Sequence, residues 1–185
     1  VFSAWSVYQS GSWHNEEKDL IFNASQQRAE ANRRLTSAMQ FKAIDVGMFL
    51  EYAQAYSNGN TKFSDFVYHR FRPEMRAAVD AWMALDPLVN PDAPAAPFYM
   101  EEYILDDEIK AEEYSQHADE KIHQAELAYQ NSDTYSKMTV LFASTLFFAG
   151  ITTKFESNKI RMLLLFFAIL SFIIGLIIVA TSPII

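Results

Sequence analysis

Residues 162–185 are 24 consecutive uncharged residues, most of them Leu, Ile and Phe. About 20 such residues suffice for a helix to cross a bilayer. A second uncharged stretch, residues 138–153, lies just upstream. As a helix it reaches about 24 Å, short of a hydrocarbon core of about 30 Å. Lys137 and Lys154 flank it and can snorkel toward the headgroups, which makes up the difference. A small, acidic, water-soluble domain could not bury both stretches. They are therefore read as a transmembrane hairpin, spans 136–153 and 162–185, joined by a loop at 154–161.

Charge divides the chain at the same place. Residues 1–135 hold 22 of the 23 acids against 11 of the 15 Lys and Arg, a formal balance of −11. Residues 136–185 hold one acid, Glu156, and four bases, Lys137, Lys154, Lys159 and Arg161. The mean hydropathy near zero is thus an average over two unlike parts, one made for water and one for lipid. The bases at 154–161 place that loop in the cytoplasm by the positive-inside rule, and the acidic part on the outer side, which for a bacterium means the periplasm. An acidic domain argues against nucleic acid as a partner, because phosphate binding needs a basic face. With no cysteine there is no disulfide, thiolate metal site or Cys nucleophile.

At the other end, Trp5, Tyr8 and Trp13 are spaced like an interfacial aromatic belt. Residues 1–12 are read as the end of an N-terminal transmembrane helix that finishes near residue 10. Residues 13–135 then form the extramembrane helical domain. Within it, 15–57 reads as one long helix, free of Pro and rich in Ala, Glu, Gln, Arg and Leu. Ile21, Ala24, Ala31, Leu35 and Ala38 recur at three-four spacing, and the small residues predict close helix packing. Asn58-Gly59-Asn60 stops it. Shorter helices are expected at 62–70, with Thr61 as N-cap, and at 73–85, with Pro73 in its first turn. Residues 86–100 carry four of the six prolines and read as a surface loop. From Leu105 the stripe Ile109, Ala111, Tyr114, Ala118, Ile122, Ala125 and Tyr129 predicts a helix running unbroken through Asn131-Ser132-Asp133 into the first hairpin span. The expected architecture is an all-α membrane protein. A long antiparallel helical stalk carries a helical cap at its far end.

Few residues suggest chemistry. Glu120 and His123 form a Glu-x-x-His pair, the spacing that puts two metal ligands on one helix face, with Glu113 and His117 a turn or two away. Di-metal bundles need two such motifs and two further Glu; no second motif is present, so a solvated helix face is the better reading. Asp65, His69, Arg70, Arg72 and Arg76 form the one basic cluster outside the hairpin, suited to an anion or, more simply, to neighbours such as Glu74 and Asp80. Asn23-Ala24-Ser25 matches a glycosylation acceptor but falls inside a helix. No nucleophilic triad or phosphate loop is found. No cofactor is expected.

Several motifs together resemble a family of uncharacterised small bacterial membrane proteins. They are Ala4-Trp5-Ser6-Val7-Tyr8-Gln9 with Trp13, Phe71-Arg72-Pro73-Glu74, Asp86-Pro87, Asn90-Pro91-Asp92-Ala93-Pro94 with Pro97-Phe98, Leu141-Phe142-Ala143 and Phe147-Phe148-Ala149-Gly150-Ile151. The resemblance implies a bacterial inner membrane and an N-terminal span ending at the Ala-Trp-Ser stretch, and it brings no activity.

Three functions are weighed. The first is a non-catalytic scaffold that self-assembles or serves a larger membrane complex as an accessory subunit. Its contacts with lipid, with copies of itself or with other membrane subunits would use Phe98, Tyr99, Tyr103, Trp5 and Trp13, since aromatics anchor interfaces. The second is a homo-oligomeric cation channel with an acidic vestibule. The third, more remote, is a membrane-anchored di-metal carboxylate enzyme built on Glu120 and His123.

Overall fold

A computed structural model describes residues 1–185 and is entirely helical. Five α-helices follow in order: α1 (Phe2–Ser57), α2 (Thr61–Tyr68), α3 (Pro73–Met83), α4 (Asp106–Ile151) and α5 (Asn158–Thr181). Short 3-10 turns occur at Pro97–Tyr99 and Thr152–Lys154. Helices α1 and α4 form a long antiparallel pair. The chain divides into two compact units that share these two helices. One comprises Val1–Gln26 with His117–Ile185, the other Gln27–Gln116.

Helix boundaries follow local chemistry. Gly59 adopts a φ of +71°, which a residue without Cβ tolerates, and this ends α1. Asn60, rather than Thr61, caps α2: its side chain accepts from the Phe63 N–H. Pro73 stands at the start of α3, where its missing N–H is no loss. That helix stops at Met83, and α2 at Tyr68, each about two residues earlier than the sequence pattern suggests. Helix α1 is continuous from Phe2, without a break at Gly11, and α4 continues through Asn131-Ser132-Asp133. Asp106, Asp107 and Glu108 lie in the first turn of α4, where the helix dipole favours acids.

In the unit spanning Gln27–Gln116, the core is aromatic. Phe49, Tyr52, Val67, Phe71, Met75 and Val79 are buried together, with Trp82, Phe98 and Tyr103 packed against them. Phe49 meets Trp82 and Phe98 edge-on at 5.5 and 5.7 Å, an arrangement aromatic quadrupoles favour. The Pro-rich loop is tied down by Trp82, whose Nε1 donates to the Pro94 carbonyl at 2.6 Å. Nearer the other end of this unit the pairing is polar. Arg28 reaches Ser115, while Arg34 and Ser37 reach Asp107, so partners descend α4 as they ascend α1. Ala31, Ala38 and Ala111 are buried where the helices would otherwise be held apart.

In the other unit, the start of α1, the end of α4 and α5 pack together. Phe2, Phe142 and Phe172 form a ring cluster with centroids 5.5–5.9 Å apart. Ala24, Ala118, Ala125 and Ala128 are buried on the α1 and α4 faces. Gly175 lets α5 approach α4: a Cβ there would sit 2.9 Å from Phe142 Cε1. Helix α5 is long and apolar enough to cross a membrane, and only 11% of its most apolar stretch is buried. It ends at Thr181. Ser182 is extended, and residues 182–185 are not helical, contrary to a span reaching 185.

Candidate functional site

The most organised polar group lies in the unit of residues 27–116 and centres on Asp45. The alanine stripe of α1 continues at seven-residue spacing from Ala31 and Ala38 to Asp45, so the fold puts a carboxylate where a core residue belongs. Its side chain is 0% exposed. Arg72, the residue before α3, donates through Nη2 to Oδ2 at 2.6 Å and through Nε to Oδ1 at 3.3 Å. The Tyr103 hydroxyl donates to Oδ2 at 2.8 Å. The guanidinium also stands 4.7 Å over the Phe41 ring and 3.6 Å from Glu74. A guanidinium at a helix N-terminus opposes the helix dipole; Asp45 and Glu74 offset it.

The ionisation of the partners follows from this geometry. The hydrogen bond to Asp45 raises the Arg72 guanidinium further above its usual value. Burial first, and then the bond to Asp45, push the Tyr103 phenol far above the ordinary tyrosine range. Tyr103 therefore stays a neutral donor at any physiological pH. Both Asp45 oxygens are occupied and the side chain is sealed from solvent. A general base needs an open approach to its proton, so the cluster is a tie between α1, α3 and the segment leading into α4. The sequence pattern offers no sign of it beyond an acid on an apolar helix face.

The other basic residues of that region act on carbonyls. Arg70 donates to the Phe66 carbonyl and lies 3.5 Å over its ring. Arg76 donates to the carbonyls of His69 and Phe71, closing the α2–α3 turn. Asp80 accepts from the Tyr68 hydroxyl at 2.6 Å, a bond that raises the tyrosine's pKa. His69 and Asp65 are exposed.

The Glu-x-x-His residues stay on the helix surface. Glu120 accepts from Gln124 within α4, His123 is exposed, and so are Glu113 and His117. No three His, Asp or Glu side chains converge as metal ligands do. Asn23 and Ser25 are exposed on α1, with Ala24 buried between them.

The five aromatic contact candidates separate. Phe98 and Tyr103 belong to the core, with rings 5.2 Å apart. Tyr99 is 75% exposed. In the other unit Trp5 is about half exposed and lies against Tyr8. Trp13 is partly buried and donates to the Pro183 carbonyl at 3.2 Å. That last bond belongs to a clasp on residues 182–185 which the sequence does not announce. Gln9, fully buried, donates to the Ile185 carbonyl at 3.0 Å and accepts from the Ile185 N–H at 3.1 Å. Tyr135, also fully buried, donates to the Pro183 carbonyl at 2.9 Å. No protein-family model matches the chain, and no curated protein or solved structure is significantly similar to it.

Proposed function

We propose that the chain is a non-catalytic integral membrane protein, acting as a self-assembling scaffold or as an accessory subunit of a larger membrane complex. The carrying observation is helix α5. Leu163, Phe166, Phe167, Ile169 and Leu170 are all exposed on it. In water such a surface would be an aggregation site; in lipid it is a matched one. The hydroxyls near it behave as those of membrane helices do. Ser144, Thr145 and Thr181 each donate to the carbonyl four residues back, which satisfies them without water.

The end of α4, with exposed Val140, Leu146 and Phe147, is the second span of this reading. The start of α1, which packs its Phe2 against Phe142 and Phe172, is a third. Lys154, Lys159 and Arg161 then mark the cytoplasmic side, and the acidic part faces the periplasm of a bacterial inner membrane. The non-catalytic assignment is supported by the sealed state of the Asp45 cluster and the dispersal of the histidines.

Absence of cysteine makes topology directly testable. Asn58→Cys and Ser157→Cys would be introduced singly and treated with a membrane-impermeant maleimide on intact cells. The substitution at 58 is expected to label at once, and the one at 157 only after permeabilisation. Release of the protein by alkaline carbonate would overturn the membrane reading. Native mass spectrometry after gentle extraction tests the assembly reading, which a lone monomer would sink.

A further inference from the structure

The unit of residues 27–116 carries an open groove of about 580 Å³ between α1 and α4. Its floor is Ala31 and Ala111, both buried, where a methyl group is the whole side chain. Leu35 on one bank and Ile109 on the other are 39% and 50% exposed, so each presents an aliphatic flank to the groove. The α4 bank also carries Glu108, Glu112 and Glu113, all exposed. Glu112 accepts a hydrogen bond from Gln116 at 2.9 Å, a neutral partner that leaves its charge in place, and none of the three carboxylates forms an ion pair; the nearby Lys110 stands 4.0 Å from Asp106.

Two antiparallel helices bury one stripe each and leave the furrow alongside the seam open. The natural occupant of such a furrow is a third helix, whose aliphatic side chains fill the space over the two alanines. Charge selects which helix. Three carboxylates on one bank, with no cation paired to them, attract Lys and Arg and repel acids. A second copy docking through this same face is a poor occupant, since a two-fold contact would set the same three glutamates against each other. We infer that this groove docks an amphipathic helix of a different polypeptide, with Lys or Arg beside an aliphatic stripe. The inference rests on the accessory-subunit reading and identifies the chemistry of the partner.

The test uses the full chain in its own membrane. A photoreactive phenylalanine analogue would replace Leu35 or Ile109, and each crosslinked segment would be sequenced. The expected adduct is a segment of another protein that has helical apolar spacing and more Lys and Arg than Asp and Glu. Its yield should fall at least ~5-fold when Glu108→Lys, Glu112→Lys and Glu113→Lys are combined, and should also fall as salt is raised. Unchanged circular dichroism of that triple variant shows the loss is not unfolding. A yield indifferent to charge reversal, an adduct only with lipid, or no adduct at all overturns the inference. An adduct with the chain itself also overturns it while leaving the self-assembly reading standing. A lone monomer by native mass spectrometry would remove both.

Discussion

Arg72 grips the buried carboxylate of Asp45 from 27 residues away in sequence, with two nitrogens on two oxygens. A two-point guanidinium–carboxylate bond fixes orientation as well as distance. It sets the start of α3 against the middle of α1, and Tyr103 adds the strand of chain entering α4 to the same carboxylate.

Breaking this pair from one side should be severe. Arg72→Met leaves Asp45 buried without its cation, at a cost of about 3 kcal/mol or more in unfolding free energy. Tyr103→Phe removes one hydrogen bond to a charged group and should cost about 1.5 kcal/mol. Replacing both ions, Asp45→Leu with Arg72→Met, should be much milder than Arg72→Met alone, since no charge is stranded. Denaturation of the purified protein in detergent, followed by circular dichroism, measures all three. A single-site loss below ~1 kcal/mol would show that water reaches the carboxylate.

Asp107 makes a pH-dependent tie of a different kind. Ser37 donates to it at 2.7 Å and Arg34 at 2.9 Å, and these bonds hold its carboxyl below the usual range. A carboxyl whose pKa is lower when folded adds stability that is fully present above its unfolded value, near pH 4. That contribution disappears as pH falls through the lower folded value. Thermal midpoints of the native protein should therefore drop on acidification below about pH 4. Asp107→Asn should start from a lower midpoint at neutral pH and show a shallower acid slope. Equal slopes would assign the acid sensitivity to other carboxyls.

Much of the helical framework could be read from residues with strong local preferences. Asn58-Gly59-Asn60 marked the end of α1, and Pro73 marked the start of α3. The unbroken run through Asn131-Ser132-Asp133 lacked any breaker, so a continuous α4 followed from local chemistry alone. The polar ties were not legible. Asp45 looks like any acid on a helix, and only tertiary packing decides that it faces inward. Gln9 and Tyr135 are likewise ordinary helix residues until residues 182–185 arrive beside them. Phe98, inside the Pro-rich loop, and Tyr103, just past it, read as contact aromatics, but Trp82 anchors that loop and both rings pack against the core. Tertiary contacts override local pattern at each of these positions.

The approach of α5 to α4 at Gly175 gives a sharp packing test. A methyl group there would press on Phe142 at 2.9 Å and on Leu141 Cδ2 at 3.2 Å. Overpacking of this kind costs about 1–3 kcal/mol, partly offset by the better helix propensity of Ala. Gly175→Ala should lower the denaturant midpoint in mixed micelles, and Gly175→Val should lower it further. Adding Phe142→Leu to Gly175→Ala should recover part of the loss, because the smaller side chain vacates the contact. No recovery would place the strain on Leu141 or the backbone instead of the ring.

The Gln9 clasp should be visible in a single amide. The Ile185 N–H donates to Gln9 Oε1 at 3.1 Å, while the Gln9 amide donates back to the Ile185 carbonyl at 3.0 Å. This is the pairing of two facing peptide groups, made here by a side chain that is wholly buried. Tyr135 and Trp13 fix Pro183 two residues earlier, so the segment is held at separate points. Gln9→Leu keeps the bulk and removes only the polar pair. It should speed hydrogen exchange at the Ile185 amide roughly tenfold, the equivalent of about one net hydrogen bond. Amides in the middle of α5 should exchange as before, because their helical bonds are untouched. If they accelerate together with Ile185, the clasp stabilises the packing of the whole helix and not only the segment after it.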